Sequence, residues 1–229
     1  MRRSRGFTLL ETAIILLISG MIVSGILKGH EIVGQARAKW VINDLTAVNT
    51  ATLQYYDRYR AWPGDDVNAG GALGRWSVFN ARSGNGDGVV SGNYNDLFSG
   101  DPSTFIDGPT NESLKFWSHL RISGFVMGPL TGPGAAAPPA MPVGGILGVQ
   151  SGDPNLFNGL MACVSNVPER IAPMIDTQLD DQSPNTGYVR GRRQNLNDDS
   201  PALKDTNAIP NYIEDGSSRY VLCRALQLT

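Results

Sequence analysis

The chain has 229 residues, 19 basic and 21 acidic side chains, and a formal charge of −2. Hydrophobic residues make up 41% and charged residues 17%, which excludes both a disordered chain and a polytopic membrane protein. Three of the basic residues, Arg2, Arg3 and Arg5, lie in the first six positions, so the remainder is more acidic still and reads against a nucleic-acid binder.

From Phe7 to Leu27 the chain is almost wholly apolar. As a helix those residues would span about 31 Å, enough to cross a hydrocarbon core. The arginines before it predict a cytoplasmic N-terminus and a body on the outer side of the membrane. An ordinary signal peptide would need a small-residue cleavage site behind the apolar run, and Ser24-Gly25-Ile26 is a poor one. A plain signal anchor accounts for everything except Glu11. A carboxylate inside a membrane span costs roughly 2.5–3.5 kcal/mol and therefore needs a partner or a use.

Beyond Leu27 the helical pattern continues. Val41, Leu45, Val48, Thr52, Tyr55 and Tyr59 recur at steps of three and four, with Lys39, Asn43, Asp44 and Asp57 elsewhere. No proline interrupts residues 7–62, and Pro63-Gly64 ends the pattern. The expectation is one helix over Phe7–Tyr59, membrane-spanning at 7–27 and amphipathic at 28–59. The alternative is a membrane helix and a separate soluble one.

Residues 60–110 are loop-rich, with Trp62-Pro63-Gly64-Asp65-Asp66 and Ser83-Gly84-Asn85-Gly86-Asp87-Gly88 as the marked turns. A short helix is expected over Glu112–Ser123, capped by Thr110 or Asn111 and ended by Gly124, with one apolar side of Leu114, Trp117, Leu120 and Arg121. Gly128–Pro142 reads as a flexible, structure-poor segment. Strands are expected at Val143–Gln150, Leu160–Val164, Tyr188–Arg190 and Ser218–Leu226, the last with Tyr220, Leu222 and Arg224 alternating against Val221, Cys223 and Ala225. Asn166-Val167-Pro168-Glu169 reads as a helix start, with Ile171, Ile175 and Leu179 inward and Asp180-Asp181 at its end.

The N-terminal pattern resembles the type III signal of prepilins: a short basic leader ending in Gly6, then Phe7-Thr8-Leu9-Leu10-Glu11 and a long apolar stretch. The resemblance covers about the first 30 residues. It implies an α+β, pilin-like fold, with a long N-terminal helix packed on a loop-rich head that carries an antiparallel sheet. The parts would be a leader at 1–6, a stem at 7–59 and a globular head at 60–229. It also implies cleavage after Gly6 by prepilin peptidase, N-methylation of Phe7, and docking in a filament through Glu11. The expected partners are other pilin or pseudopilin subunits, the peptidase, an inner-membrane assembly platform, and membrane lipid before assembly. The expected setting is the bacterial inner membrane and then a type IV pilus or type II secretion pseudopilus. A filament-carried adhesin or ligand-binding head is the alternative. Trp62–Asp66, Asn85–Gly88 and Ile175-Asp176-Thr177-Gln178-Leu179-Asp180-Asp181 with Thr186-Gly187 are similar to stretches in large prepilin-like heads.

Other chemistry is sparse. Ser83, Asn85 and Asp87 fall on positions 1, 3 and 5 of an EF-hand-type calcium loop, with the Val89 carbonyl at position 7. Position 1 lacks its carboxylate and position 12 is Tyr94, so a plain glycine-rich turn fits as well. Asp96 or Asp101 would have to supply the last ligand. Calcium is the one cofactor the chain suggests. Asp65-Asp66 and Asp180-Asp181 are further possible oxygen ligands. Cys163 and Cys223 read as one disulfide if the head is exported, and as two buried thiols if it is not. His30 and His119 have no readable catalytic partner, and no nucleophile elbow, phosphate loop or zinc helix is present, so an enzyme is not expected. Arg190-Gly191-Arg192-Arg193 reads as a solvated basic loop or a docking patch.

Overall fold

The computed structural model describes residues 9–95, 111–153, 156–194 and 209–226. Gly6, Phe7, Asp96, Asp101 and Thr110 lie outside the described residues. Helix α1 runs unbroken from Leu9 to Tyr59, 51 residues or about 77 Å. One continuous helix is therefore present, not two. Along its first half Leu10, Ile14, Leu17, Met21, Ile22 and Leu27 are all exposed. Along its second half Ala38, Val41, Leu45, Val48, Ala51, Thr52 and Tyr55 are buried, the spacing of a single helix face. The change from bare to buried follows the change from uniform to periodic hydrophobicity.

The buried half lies against helices α2 (Glu112–Ile122) and α4 (Ala172–Leu179) and a four-stranded sheet. The strands are β1 (Leu147–Asp153), β2 (Phe157–Pro168), β3 (Val189–Arg193) and β4 (Arg219–Ala225), in the order β1-β2-β4-β3 with every pair antiparallel. The alternation expected of β4 holds. Tyr220 and Leu222 join Ala162 and Val164 of β2 in the core under the stem. Val221 and Cys223 join Met161, Cys163, Tyr94, Ile146 and Leu156 on the opposite face. Both faces of the sheet are thus covered, and the fold is α+β.

Cys163 and Cys223 are directly opposed in the β2–β4 register and form a disulfide, fully buried on the face away from the stem. The bond joins positions 60 residues apart, so in a chain-entropy model it removes on the order of 4 kcal/mol from the denatured state. The double variant Cys163→Ala/Cys223→Ala should unfold about 2–4 kcal/mol more easily in a denaturant titration. An unchanged midpoint would show that strand pairing alone closes this loop.

Several local expectations are corrected. Asn166 is not a helix cap: it sits at φ 58° in a bulge of β2, its N–H donating to Gln194, and pairing with β4 resumes through Pro168. Helix α4 begins at Ala172, with proline in its first turn supplied by Pro173. Leu147, not Val143, starts β1, because Gly144 turns the chain at φ 90° and a side chain at Gly145 would strike the Ser165 carbonyl. Helix α2 is capped by Asn111 and has no solvent side to speak of, since Glu112, Ser113, Lys115 and His119 are buried along with Leu114, Trp117 and Leu120. The 128–142 segment is tied down. A short helix α3 (Pro133–Ala136) lies against α2, and the Arg121 guanidinium donates to the carbonyls of Gly134, Ala135 and Ala137.

Candidate functional site

The stem carries the first candidate. Glu11 lies in the first turn of α1, where a carboxylate suits the positive end of the helix, and exposed apolar side chains follow it toward Val33. Helix α1 is long and apolar enough to cross a membrane. Its second half is anchored to the head by packing and by Arg224 of β4, which donates to Thr46.

The glycine loop at 83–91 is the second candidate, and its polarity is the reverse of a calcium cage. A calcium loop turns oxygens inward. Here the N–H groups of Gly86, Asp87 and Gly88 point inward and donate to the Asp65 carboxylate at 2.6, 3.1 and 2.9 Å. Asn85 N–H and the N–H and hydroxyl of Ser91 donate to Glu112. Asp65 and Glu112 are thus the acceptors that these loop donors serve. Of the four expected ligands, Ser83 is committed elsewhere, accepting from Gly70 N–H and donating to the Val67 carbonyl. Asp87 turns back on its own loop, accepting from Val89 N–H and the Asn85 amide. Carboxylate oxygens of Asp65, Asp87 and Glu112 do lie within 4.8 Å of one another, but every one of the six accepts a protein donor.

The same region explains Trp62–Asp66. Gly64 sits at φ 91° with its Cα against the Glu112 carbonyl, where a Cβ would come within 2.4 Å. Its N–H donates to His119 Nδ1 at 2.9 Å. Asp66 accepts from the Tyr55 hydroxyl of the stem, from Asn68 N–H and from the Arg75 guanidinium. His119 is wholly buried, and its Nε2 lies 2.7 Å from the Arg82 carbonyl. A carbonyl only accepts, so Nε2 carries the proton and the ring is neutral. Burial holds its pKa down to about 4. This histidine is a structural strut.

The third candidate closes α4. Carboxylate oxygens of Asp176, Asp180 and Asp181 lie within 4.8 Å of one another. Asp180 caps the start of β3 by accepting from Tyr188 and Val189 N–H. A side chain at Gly187 would collide with it, so the Thr186-Gly187 pair is needed here. Asp181 accepts from Ser183 N–H and the Thr186 hydroxyl. Asp176 is fully buried and accepts from the Tyr212 hydroxyl at 2.5 Å through Oδ2. Burial pushes its carboxyl up to about 6, with repulsion from Asp181 and Asp180 adding to the rise. The Tyr212 bond opposes it, as does the Gln182 N–H from outside hydrogen-bonding geometry.

The basic residues at 190–193 form neither a loop nor a free patch. They lie on β3, where Arg192 is buried on the Pro184 carbonyl and the Asn185 side chain, Arg193 pairs with Asp215, and Arg190 reaches the Leu156 carbonyl. From sequence, Asp65 stands only as a possible oxygen ligand, not as the acceptor of the glycine loop, and neither Glu112 nor Asp176 is singled out. The cue for the first two was the run of glycine amides at 84–88, which needs acceptors from elsewhere in the chain. Comparison with family models, with curated proteins and with solved structures gives no match.

Proposed function

We propose that this chain is a structural subunit of a type IV pilus or type II secretion pseudopilus, of prepilin type and without enzymatic activity. The observation that carries the reading is the two-part stem. One unbroken helix has a bare apolar half, with Glu11 in its first turn, and a half whose periodic face forms the core of the head. A membrane anchor alone needs no such continuity, whereas a subunit drawn out of the bilayer keeps its apolar half as the surface for neighbours.

In this reading prepilin peptidase cuts between Gly6 and Phe7 and methylates Phe7, and an inner-membrane assembly platform extracts the subunit. The head faces the periplasm or the exterior, which agrees with the buried disulfide. The irregular head suits a minor subunit better than an abundant one. The test is intact-mass analysis of protein recovered from membranes. The expected species begins at Phe7 with one added methyl group, and a chain retaining residues 1–6 in a host with active peptidase would refute the proposal.

A second reading keeps the stem as carrier and gives the head a ligand. It is favoured by a cleft of about 680 Å³ between the 71–82 loop and helices α2 and α3, with Val78, Phe79, Leu114 and Leu130 beside Lys115 and Arg82. A glycan array probed with the full chain in detergent would distinguish it, since a purely structural head binds nothing there.

A further inference from the structure

The bare face of α1 does not end where the solid apolar run ends. Ile32 and Val33 are exposed beyond Leu27. Trp40, two helical turns after Val33 and on the same side, is 62% exposed. It faces away from the head, whereas Ala38 on the other side of the helix is buried. Arg37 and Lys39 flank this face, both exposed and neither with an acidic partner among the described residues. Glu31 is already paired with Lys28 at 2.6 Å. Lys28, Arg37 and Lys39 against Glu31 leave residues 28–40 positive, whereas residues 41–229 carry 13 basic and 19 acidic side chains. The chain thus changes sign where the apolar span meets the head.

We propose that Arg37, Lys39 and Trp40 form a collar that binds anionic phospholipid headgroups at the end of the span nearer the head. The inference rests on the membrane-spanning reading of α1 and names the lipid class it meets. Leu9–Val33 is about 37 Å long as a helix, against a hydrocarbon core of about 30 Å. A helix with that excess tilts, and about 35° brings Val33 to the edge of the core. Along the membrane normal Arg37 then lies about 5 Å and Trp40 about 9 Å further out, in and at the rim of a polar layer about 5–8 Å deep. Their side chains lean back toward the helix N-terminus, hence toward the bilayer. The two cations meet lipid phosphates, and the indole lies where one end is apolar and the other wet. Lys28 and Glu31 pass below the surface as a neutral pair. Anchors of this kind set the tilt of a helix, so the collar fixes how close the acidic head stands to the bilayer.

The test uses the full chain reconstituted in vesicles of phosphatidylcholine, with and without phosphatidylglycerol. Flotation with the neutral vesicles after alkaline carbonate checks the span itself, and loss of the chain there would remove the span and the collar with it. Lipid retained on the chain after mild detergent extraction from the mixed vesicles is then counted by mass spectrometry. Wild type should retain phosphatidylglycerol over phosphatidylcholine by about tenfold or more. Arg37→Gln/Lys39→Gln should still float but lose most of that preference, and the leader arginines, common to all variants, cancel in the comparison. Trp40→Ala should lower retention of both lipids, since the indole is indifferent to headgroup charge. Arg58→Gln, an exposed charge at the far end of the stem, should behave like wild type. Equal retention of the two lipids by wild type would overturn the proposal. So would an unchanged preference in the double variant, whose two exposed positions put no folding at risk.

Discussion

Replacing Gly6 by leucine should leave the chain at full length in the membrane, with residues 1–6 attached and Phe7 unmethylated. Glycine has no Cβ, so the backbone at Gly6 can be approached more closely than at any other residue. Leucine at that position should therefore abolish processing, and unprocessed protein should be absent from filaments. The partner variant, Glu11→Ala, separates processing from assembly. Removing the carboxylate spares the membrane-embedded subunit roughly 2.5–3.5 kcal/mol, so the variant should be at least as comfortable in the bilayer as wild type. It should be cut and methylated normally. It should nevertheless be depleted from sheared filaments by about tenfold or more. In the proposed reading, Glu11 would pair with the new N-terminal amine of a neighbour only after assembly, in low dielectric where an unpaired charge is costly. Immunoblots of membrane and filament fractions measure both outcomes. Normal cutting of Gly6→Leu would sink the processing half, and wild-type incorporation of Glu11→Ala would sink the docking half.

The stem was legible in the sequence because its two halves have different patterns, a solid apolar run and then a three-four spacing, and no proline between them. Strand β4, one of the two inner strands, was legible because it alternates with period two and follows the polar Asp215–Ser218 stretch. What could not be read was long-range polar pairing. Asp65 and Glu112 are 47 positions apart, and nothing local announces that both serve amides of the 85–91 loop. The glycine spacing that fits a calcium loop fits an inward-facing row of N–H groups equally well, since both need the same sharp turns. Asn166 misled for a related reason. Asparagine suits a helix cap and a left-handed bulge alike, and strand pairing to Pro168 decided between them. Arg121 looked like the edge of an apolar face because its partners are backbone carbonyls, which carry no sequence signal.

Acidification should loosen the head through His119. The ring is neutral when folded, with Nδ1 accepting from Gly64 N–H and Nε2 donating to the Arg82 carbonyl. Adding a proton turns Nδ1 into a donor facing another donor in a fully buried site. Desolvation is the main cause of the fall from 6.5 to about 4. The sign follows directly. Above pH 6.5 neither folded nor unfolded histidine holds the proton, and the neutral strut costs nothing. Between 6.5 and about 4 the unfolded state takes up a proton that the folded state refuses, so stability declines by on the order of 3 kcal/mol over that window. Asp176 works in the opposite direction, since its raised pKa favours the folded state as pH falls below about 6. The comparison must therefore be made against His119→Asn, whose side-chain oxygen can still accept from Gly64 but does not titrate. Urea unfolding of both proteins at several pH values gives the difference. Wild type should lose its advantage over the variant as pH drops through this window, and a flat difference would mean that the folded ring takes up its proton as readily as the unfolded one. Because the histidine joins Gly64 to α2, the loosening should begin at the junction where the stem enters the head.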